Sequence, residues 1–296
     1  MSLEPPVLAK PWTADPALAL TLLLQQRSPG LSPGSLQVYQ AMLASAVRAL
    51  APEGGLAHCG VDALQAWLQY KVVNPRTAQR YLALLDRVFR DMQEQGQRKD
   101  NPAQGLAQQW KAKTRPLPVA LQPEQEARFR AAIPQTLTWR GYRDRAIIAA
   151  VLDAGLKVQE LQALRRSDYE GLSPPPRFCI RLPPTTRYAQ VAPSGEAALT
   201  AWLDFSAGTS AEAWLFPSDR QDTPLHAASL YRIIEQVFQR SGVKVAHKGA
   251  EVLRATFAAR QFRAGRSLSY VQECLGHQFP ESTVPFKRAA LGDRPV

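Results

Sequence analysis

The chain has 296 residues, of which 45% are hydrophobic. That content excludes a fully disordered protein and allows about two domains with proper cores. The formal net charge is +11 and the pI is near 9.9, a balance whose usual partner is a phosphate backbone. No apolar run approaches the roughly 20 residues that span a bilayer. The longest, 146–156, is interrupted by Asp153. The N-terminus, Met-Ser-Leu-Glu-Pro-Pro, lacks the charged-then-apolar signal pattern, so a cytoplasmic protein with no membrane partner is expected. Cys59, Cys179 and Cys274 are far apart, with no Cys-x-x-Cys spacing, and are expected to be buried free thiols rather than metal ligands or a disulfide framework.

Residues 1–14 are Pro-rich and read as a loose arm. Asp15 caps an expected helix over 16–26, where Pro16 suits the first turn. Ser28-Pro-Gly-Leu-Ser-Pro-Gly is a turn cluster. The next helix begins after Ser32 or Ser35 and carries Leu36, Tyr39, Met42, Leu43, Val47 and Leu50 on one face. Residues 52–60 break it, and a third helix covers 61–70. Asn74 and Pro75 start a fourth, with Tyr81, Leu84, Leu85, Val88 and Phe89 as its buried stripe. Arg76, Arg80, Arg87 and Arg90 lie on its remaining surface, either solvated or facing a polyanion. A short helix follows Asn101-Pro102. The expected organisation is an arm and first helix over 1–28, a helical domain over 29–112 and a basic, proline-marked linker over 113–120. A second domain then runs over 121–296.

That second domain opens with a helix after Leu121-Gln-Pro-Glu, its acids near the positive end of the dipole. A strongly apolar helix runs from Trp139 to a stop at Gly155. Phe178–Leu182 and Tyr188–Val191 alternate as a short β-hairpin. Trp214-Leu-Phe-Pro-Ser is a buried turn. Helices are expected over 194–205, 229–241, 251–264 and 267–274. Between Arg240 and Arg288 nine basic residues face three acidic ones, a local excess of +6.

Five segments now stand in a telling order. They are Arg143-Asp144 with the apolar run after it, Gly155-Leu156-Lys157-Val-Gln-Glu160-Leu161-Gln-Ala-Leu164, Trp214–Ser218, Leu253-Arg254-Ala-Thr-Phe-Ala and Leu275-Gly276-His277. In this order they resemble the tyrosine recombinase (phage integrase) family over about 30–290. The resemblance implies a mainly α protein of two domains. One is an N-terminal helical, SAM-like core-binding domain. The other is a catalytic-type domain, α with a small β-hairpin or sheet.

In the family a tyrosine attacks a DNA phosphate, and two arginines neutralise the charge that develops there. A hairpin lysine protonates the leaving oxygen, histidines assist, and no metal or other cofactor is required. Carried over residue by residue, this chain departs at four positions. The first arginine is Lys157, which keeps the charge and loses the bidentate fork. The hairpin lysine aligns near Pro184, with no lysine between Lys157 and Lys244; Arg187 is the only cation at the tip and a poor proton donor. The first histidine is Glu251, an anion that would repel phosphate unless it pairs with Lys157 or Arg254. The nucleophile is Phe286, and the last tyrosine in the chain is Tyr270. Arg254 and His277 remain in register. His247 replaces the lost histidine only if its loop is remodelled, and Ser282 and Thr283 have no evident base.

The resulting expectation is a protein of this fold that binds double-stranded DNA without cleaving it. Its job would be regulation, architecture or accessory work for a mobile element or plasmid. Lys157, Arg254 and His277 would hold one phosphate. Arg187, Lys244, Lys248, Arg260 and Arg263 would track adjacent backbone, with Arg76 and Arg80 contributing from the first domain. Its partners would be the duplex, near the nucleoid, and on it an active recombinase or further copies of the chain. An active recombinase with divergent residues and a protein–protein partner of such an enzyme are the alternatives.

Overall fold

The computed structural model describes residues 11–28, 31, 33–71, 75–110, 116–182, 185–219, 223–246 and 249–292. Pro184, His247, Lys248, the Asn74 cap, residues 1–10 of the arm, 111–115 of the basic stretch before the second domain and 293–296 lie outside them. The chain divides into two compact units, Met1–Arg115 and Pro116–Val296.

The first unit is all-helical among the described residues. Its helices are α1 (Pro11–Ala14), α2 (Pro16–Arg27), α3 (Pro33–Leu50), α4 (Gly55–His58), α5 (Val61–Lys71), α6 (Pro75–Glu94) and α7 (Pro102–Gln109). Asp15 caps α2 as its sequence promises, its carboxylate accepting from the amides of Ala17 and Leu18 at 3.1 and 3.0 Å. Leu84, Leu85, Val88 and Phe89 of α6 are buried, and Tyr81 lies at the edge of that stripe against Trp67.

The loose arm expected over 1–14 needs correction at its end. Residues 11–14 form a helical turn, and Trp12 is only 1% exposed. Its indole Nε1 donates to Asp91 of α6 at 2.7 Å, which satisfies the one polar atom of a buried ring. The expected break over 52–60 holds a further short helix, α4. Its end is fixed by the buried guanidinium of Arg98, which donates to the carbonyls of Leu56 and Cys59.

The second unit is mainly α around a small sheet. It contains α8 (Pro123–Ala131), α9 (Trp139–Ala154), α10 (Val158–Ala163), β1 (Tyr169–Glu170), β2 (Arg177–Leu182), β3 (Thr185–Gln190), α11 (Pro193–Phe205), α12 (Ala227–Ser241), α13 (Ala250–Arg263), α14 (Leu268–Leu275) and α15 (Val284–Leu291). The strands run in the order β1-β2-β3, all antiparallel, with Cys179 opposite Tyr188 and Ile180 opposite Arg187. The hairpin is where its alternation puts it. The strand β1 is an addition, too short at two residues for any period to be read.

Helices α9 and α13 are the core of this unit. Nearly every residue of α13 from Val252 to Ala259 is buried, and α9 is buried from Ala146 to Ala154. Thr256 of α13 accepts from the Leu121 amide at 2.9 Å, which straps the start of the unit to its last third. A charged cluster closes the other side. Arg130 and Arg260 share Glu126 and Asp153, at 2.6–2.8 Å for Arg130 and 2.5–2.9 Å for Arg260, and Ser194 donates to Asp153 at 2.7 Å. Arg143 donates to the carbonyls of Pro217 and Ser218 at 2.8 and 2.9 Å, so the Arg143-Asp144 motif pins the Trp214–Ser218 turn. All three cysteines are buried and free.

Burial of Trp12 generates a stability prediction. Trp12→Ala removes a buried ring and leaves Asp91 short of a donor, and should cost about 3–5 kcal/mol in urea unfolding of the first unit's transition. An unchanged midpoint would mean that the α1 turn contributes nothing to that core.

Candidate functional site

Two tight turns shape the site. Gly155 ends α9 with φ +67°, and a Cβ there would lie 2.6 Å from the ring of Phe257. Only glycine meets both demands. The chain then turns so that Lys157 stands at the cap of α10. Its amide donates to Glu160 at 2.7 Å, the three-residue spacing by which a glutamate closes a helix start. Gly276 ends α14 with φ +59°, and a Cβ there would lie 2.4 Å from Nε of Arg187. The Leu275-Gly276-His277 turn is thereby pressed against β3.

Arg254 sits between these turns. It is 2% exposed. Its Nη1 donates to the carbonyl of Gly155 and its Nη2 to that of Leu275, so the guanidinium faces the C-terminal ends of α9 and α14. Its Nη2 is also 3.2 Å from Nε2 of His277. Burial pulls its pKa down to about 10; Glu160 and Glu251 oppose that shift, while Arg187 adds to it. Even so the side chain stays charged at neutral pH.

Lys157 reaches the same place. Its Nζ donates to the Gly276 carbonyl at 3.3 Å. Burial, then the neighbouring charge of Arg254, lowers its pKa from the ordinary 10.5, while Glu160 and Glu251 raise it and Arg187 lowers it further. The His277 Nδ1 lies 2.9 Å from the hydroxyl of Thr283, and its ring stands 5.4 Å from that of Phe286 at 45°. Phe286 is half-buried and packs on the small core made by Phe257, Phe262, Val271 and Leu275. Lys157, Arg254, His277 and Phe286 are therefore brought together. Glu251, one helical turn before Arg254 on α13, is exposed at the rim.

Other expected residues are placed differently. Arg187 is held bidentate by Glu160 at 2.8 and 3.1 Å and donates to the Cys274 carbonyl at 2.7 Å. Its charge is thus close to the pocket but engaged. Arg260 belongs to the Glu126–Asp153 cluster and donates to the Leu152 carbonyl at 2.6 Å. Lys244 and Arg263 are exposed, Arg263 with a 3.2 Å bond to Gln122. Arg76 and Arg80 are exposed on the first unit's α6. Tyr270 donates to Gln190 at 3.2 Å, at the far end of the hairpin.

Two residues that sequence reasoning left without a role emerge here. Glu160 holds both the Lys157 amide and the Arg187 guanidinium, and its spacing from Lys157 was the available signal. Thr283, fully buried, anchors the imidazole of His277. As a chemical device the arrangement is a small basin of positive charge beside an aromatic ring, suited to an anion. Among the described residues no group of His, Cys, Asp and Glu is arranged to hold a metal ion, and no helix is long and apolar enough to cross a membrane.

Comparison with known proteins identifies the family and the fold. The phage integrase family model matches residues 120–290. Tyrosine recombinase XerD of Rhizobium meliloti (strain 1021) is 26% identical over 262 residues, covering 84% of this chain and 82% of that protein. Tyrosine recombinase XerC of Xylella fastidiosa (strain M23) is 35% identical over 179 residues, 60% of this chain and 58% of that one, so the match spans less than two thirds of this relative. Among solved structures, XerH site-specific recombinase bound to palindromic difH substrate superposes with a TM-score of 0.71 at 19% identity, covering 95% of this chain and 84% of that one. A lambda integrase dimer bound to a COC′ core site gives 0.69 at 17%, covering 96% and 79%. With a family match across more than half its length and the tyrosine recombinase fold, this chain belongs to the phage integrase family.

Proposed function

We propose that the chain binds duplex DNA and does not cleave it. The observation that carries this reading is the basin of Lys157, Arg254 and His277 closed by the ring of Phe286, a basin that fits a phosphate and contains no tyrosine hydroxyl. Lys157 supplies charge without a planar fork, and Arg254 already spends three of its N–H groups inside the protein, so both favour holding a phosphate over clamping its transition state. A general acid is also lacking, since no lysine lies between Lys157 and Lys244. Relatives named as recombinases and neighbours solved with DNA support the choice of ligand.

Lys244 and Arg263, exposed on the second unit, extend the contact along the backbone, with Lys248 belonging with them by sequence, and Arg76 and Arg80, exposed on the first unit, give that unit its own contact with the duplex. Arg187 and Arg260 are assigned to the scaffold, because their guanidinium groups are engaged by Glu160, Glu126 and Asp153. The protein then serves a mobile element or plasmid as a regulator, an architectural factor or an accessory to an active recombinase.

Binding to a duplex of about 30 base pairs, followed by anisotropy, should weaken steeply and log-linearly as salt rises. Lys157→Ala should weaken it about three- to tenfold, and Glu251→Gln should strengthen it by a similar factor by removing an anion beside Arg254. Salt-independent binding, or weakening by Glu251→Gln, would remove the basis of the assignment.

The pH dependence has a definite sign. Burial and Arg254 depress the Lys157 ammonium in the free protein, and a bound phosphate favours its charged form. Binding therefore takes up a proton, and affinity should fall as pH is raised from neutrality toward 10.5. Lys157→Arg should flatten that fall, and an equal fall in this variant would rule out Lys157 as its source.

Nicked cognate DNA, selected from random sequence by binding, should give no denaturant-resistant adduct. Phe286→Tyr alone should give none either, because Lys157, Glu251 and the missing hairpin lysine remain. An adduct with the unaltered chain would establish it as an active recombinase.

A further inference from the structure

The second unit gathers positive charge in another place besides the basin. A cleft of about 180 Å³ opens between the start of α9, the last turns of α12 and residues 134–136. Its charged lining is Arg140, Asp144, Arg145 and Arg240. The one carboxylate is already engaged, since Nε and Nη2 of Arg143 donate to Asp144 at 2.9 and 2.7 Å. Among the described residues none of the three lining arginines forms an ion pair. Arg140 and Arg240 are exposed. Arg145 is fixed: its Nη1 donates to the carbonyls of Pro134 and Thr136 at 3.2 and 2.9 Å, and its Cζ stands 4.6 Å over the centre of the Tyr142 ring. The hydrogens on its Nε and Nη2 are not used in these bonds. Shape holds the wall as well. A Cβ on Gly141 would collide with Oγ1 and the carbonyl oxygen of Thr136, so the 134–136 segment lies against α9 only because residue 141 is glycine.

We propose that this cleft is a second anion site, which takes the dianionic phosphate group of a small phosphate monoester. Charge and size both lead there. In the basin Lys157 is offset by Glu160 and Glu251, a balance that suits a phosphodiester with its single charge. In the cleft three guanidinium groups face one carboxylate that Arg143 has neutralised, which suits a monoester carrying nearly two charges at neutral pH. The volume is below the roughly 300–1,000 Å³ of pockets that enclose a whole small molecule. The cleft therefore receives the phosphate group, and the rest of the ligand stays in solvent. The two sites are also separate. Helix α9 runs 16 residues, about 24 Å, from the cleft at its start to the Gly155 carbonyl that meets Arg254 at its end. One phosphate cannot serve both, so this site goes beyond the duplex-binding reading and does not rest on it.

The test is titration of the full chain with inorganic phosphate and with a nucleoside 5′-monophosphate, without DNA or other oxyanions, followed by the phosphorus resonance. Both should bind in the millimolar range or tighter. Dimethyl phosphate, a diester with one charge, should bind about tenfold more weakly, a comparison that needs no variant. Arg140→Gln combined with Arg240→Gln, both at exposed positions, should weaken the monoester about tenfold and leave the thermal midpoint in place. Arg145 is kept because it also holds residues 134–136. Lys157→Ala should retain the monoester. No binding by the unaltered chain, equal affinity for dimethyl phosphate, or undiminished binding by the double variant would each overturn the assignment. A loss in Lys157→Ala as large as that in the double variant would place the phosphate in the basin and overturn it as well.

Discussion

A cation buried to 2% exposure must be surrounded by acceptors or it will not stay charged, and Arg254 is such a cation. The fold meets this need with backbone. Helices α9 and α14 both end beside the guanidinium, and their last turns offer the Gly155 and Leu275 carbonyls. Each helix also brings the negative end of its dipole to the same point. The two left-handed glycines are required because each helix must stop there abruptly. Everything else in the site is arranged around that convergence: Lys157 follows the first stop, and His277 follows the second.

The surrounding charges can be read as a balance around this centre. Lys157, Arg187 and Arg254 repel one another, as their mutual effects on Lys157 show. Glu160 offsets part of this from inside, with two oxygens on Arg187 and one of them shared with the Lys157 amide. Glu251 adds a second anion at the rim. The basin keeps a net positive character, but a moderated one. Such tuning is consistent with a site that meets a polyanion and also has to remain folded without it.

Much of this was legible in the sequence, for identifiable reasons. The Asp15 cap, the α6 stripe, the hairpin and the stop at Gly155 depend on residues a few positions apart. The meeting of Arg254 with His277 was legible because both stand in a motif whose order is specific. What escaped were pairings across distance. Nothing local marks Trp12 as buried, because its partner Asp91 is 79 residues away. Arg260 looks like any surface arginine until Glu126, 134 residues earlier, is brought beside it. Two-residue β1 carries no pattern, and no periodicity marks the contact between the Thr283 hydroxyl and His277.

The bond between the Leu121 amide and the Thr256 hydroxyl spans 135 residues, and the cluster joining α8 to α13 repeats that span. Its consequence concerns the order in which the molecule can be made. On the ribosome the first helical unit can close once α7 has emerged, because α7 is the last of its described helices. The second unit has to wait with α8 and α9 incomplete until α13 is synthesised, since α13 forms the other face of its core and carries Arg254. Such a long closure is entropically slow and leaves apolar helix surface uncovered in the interval. The step that completes this core also creates the positive basin, so a chain that stalls before α13 has neither.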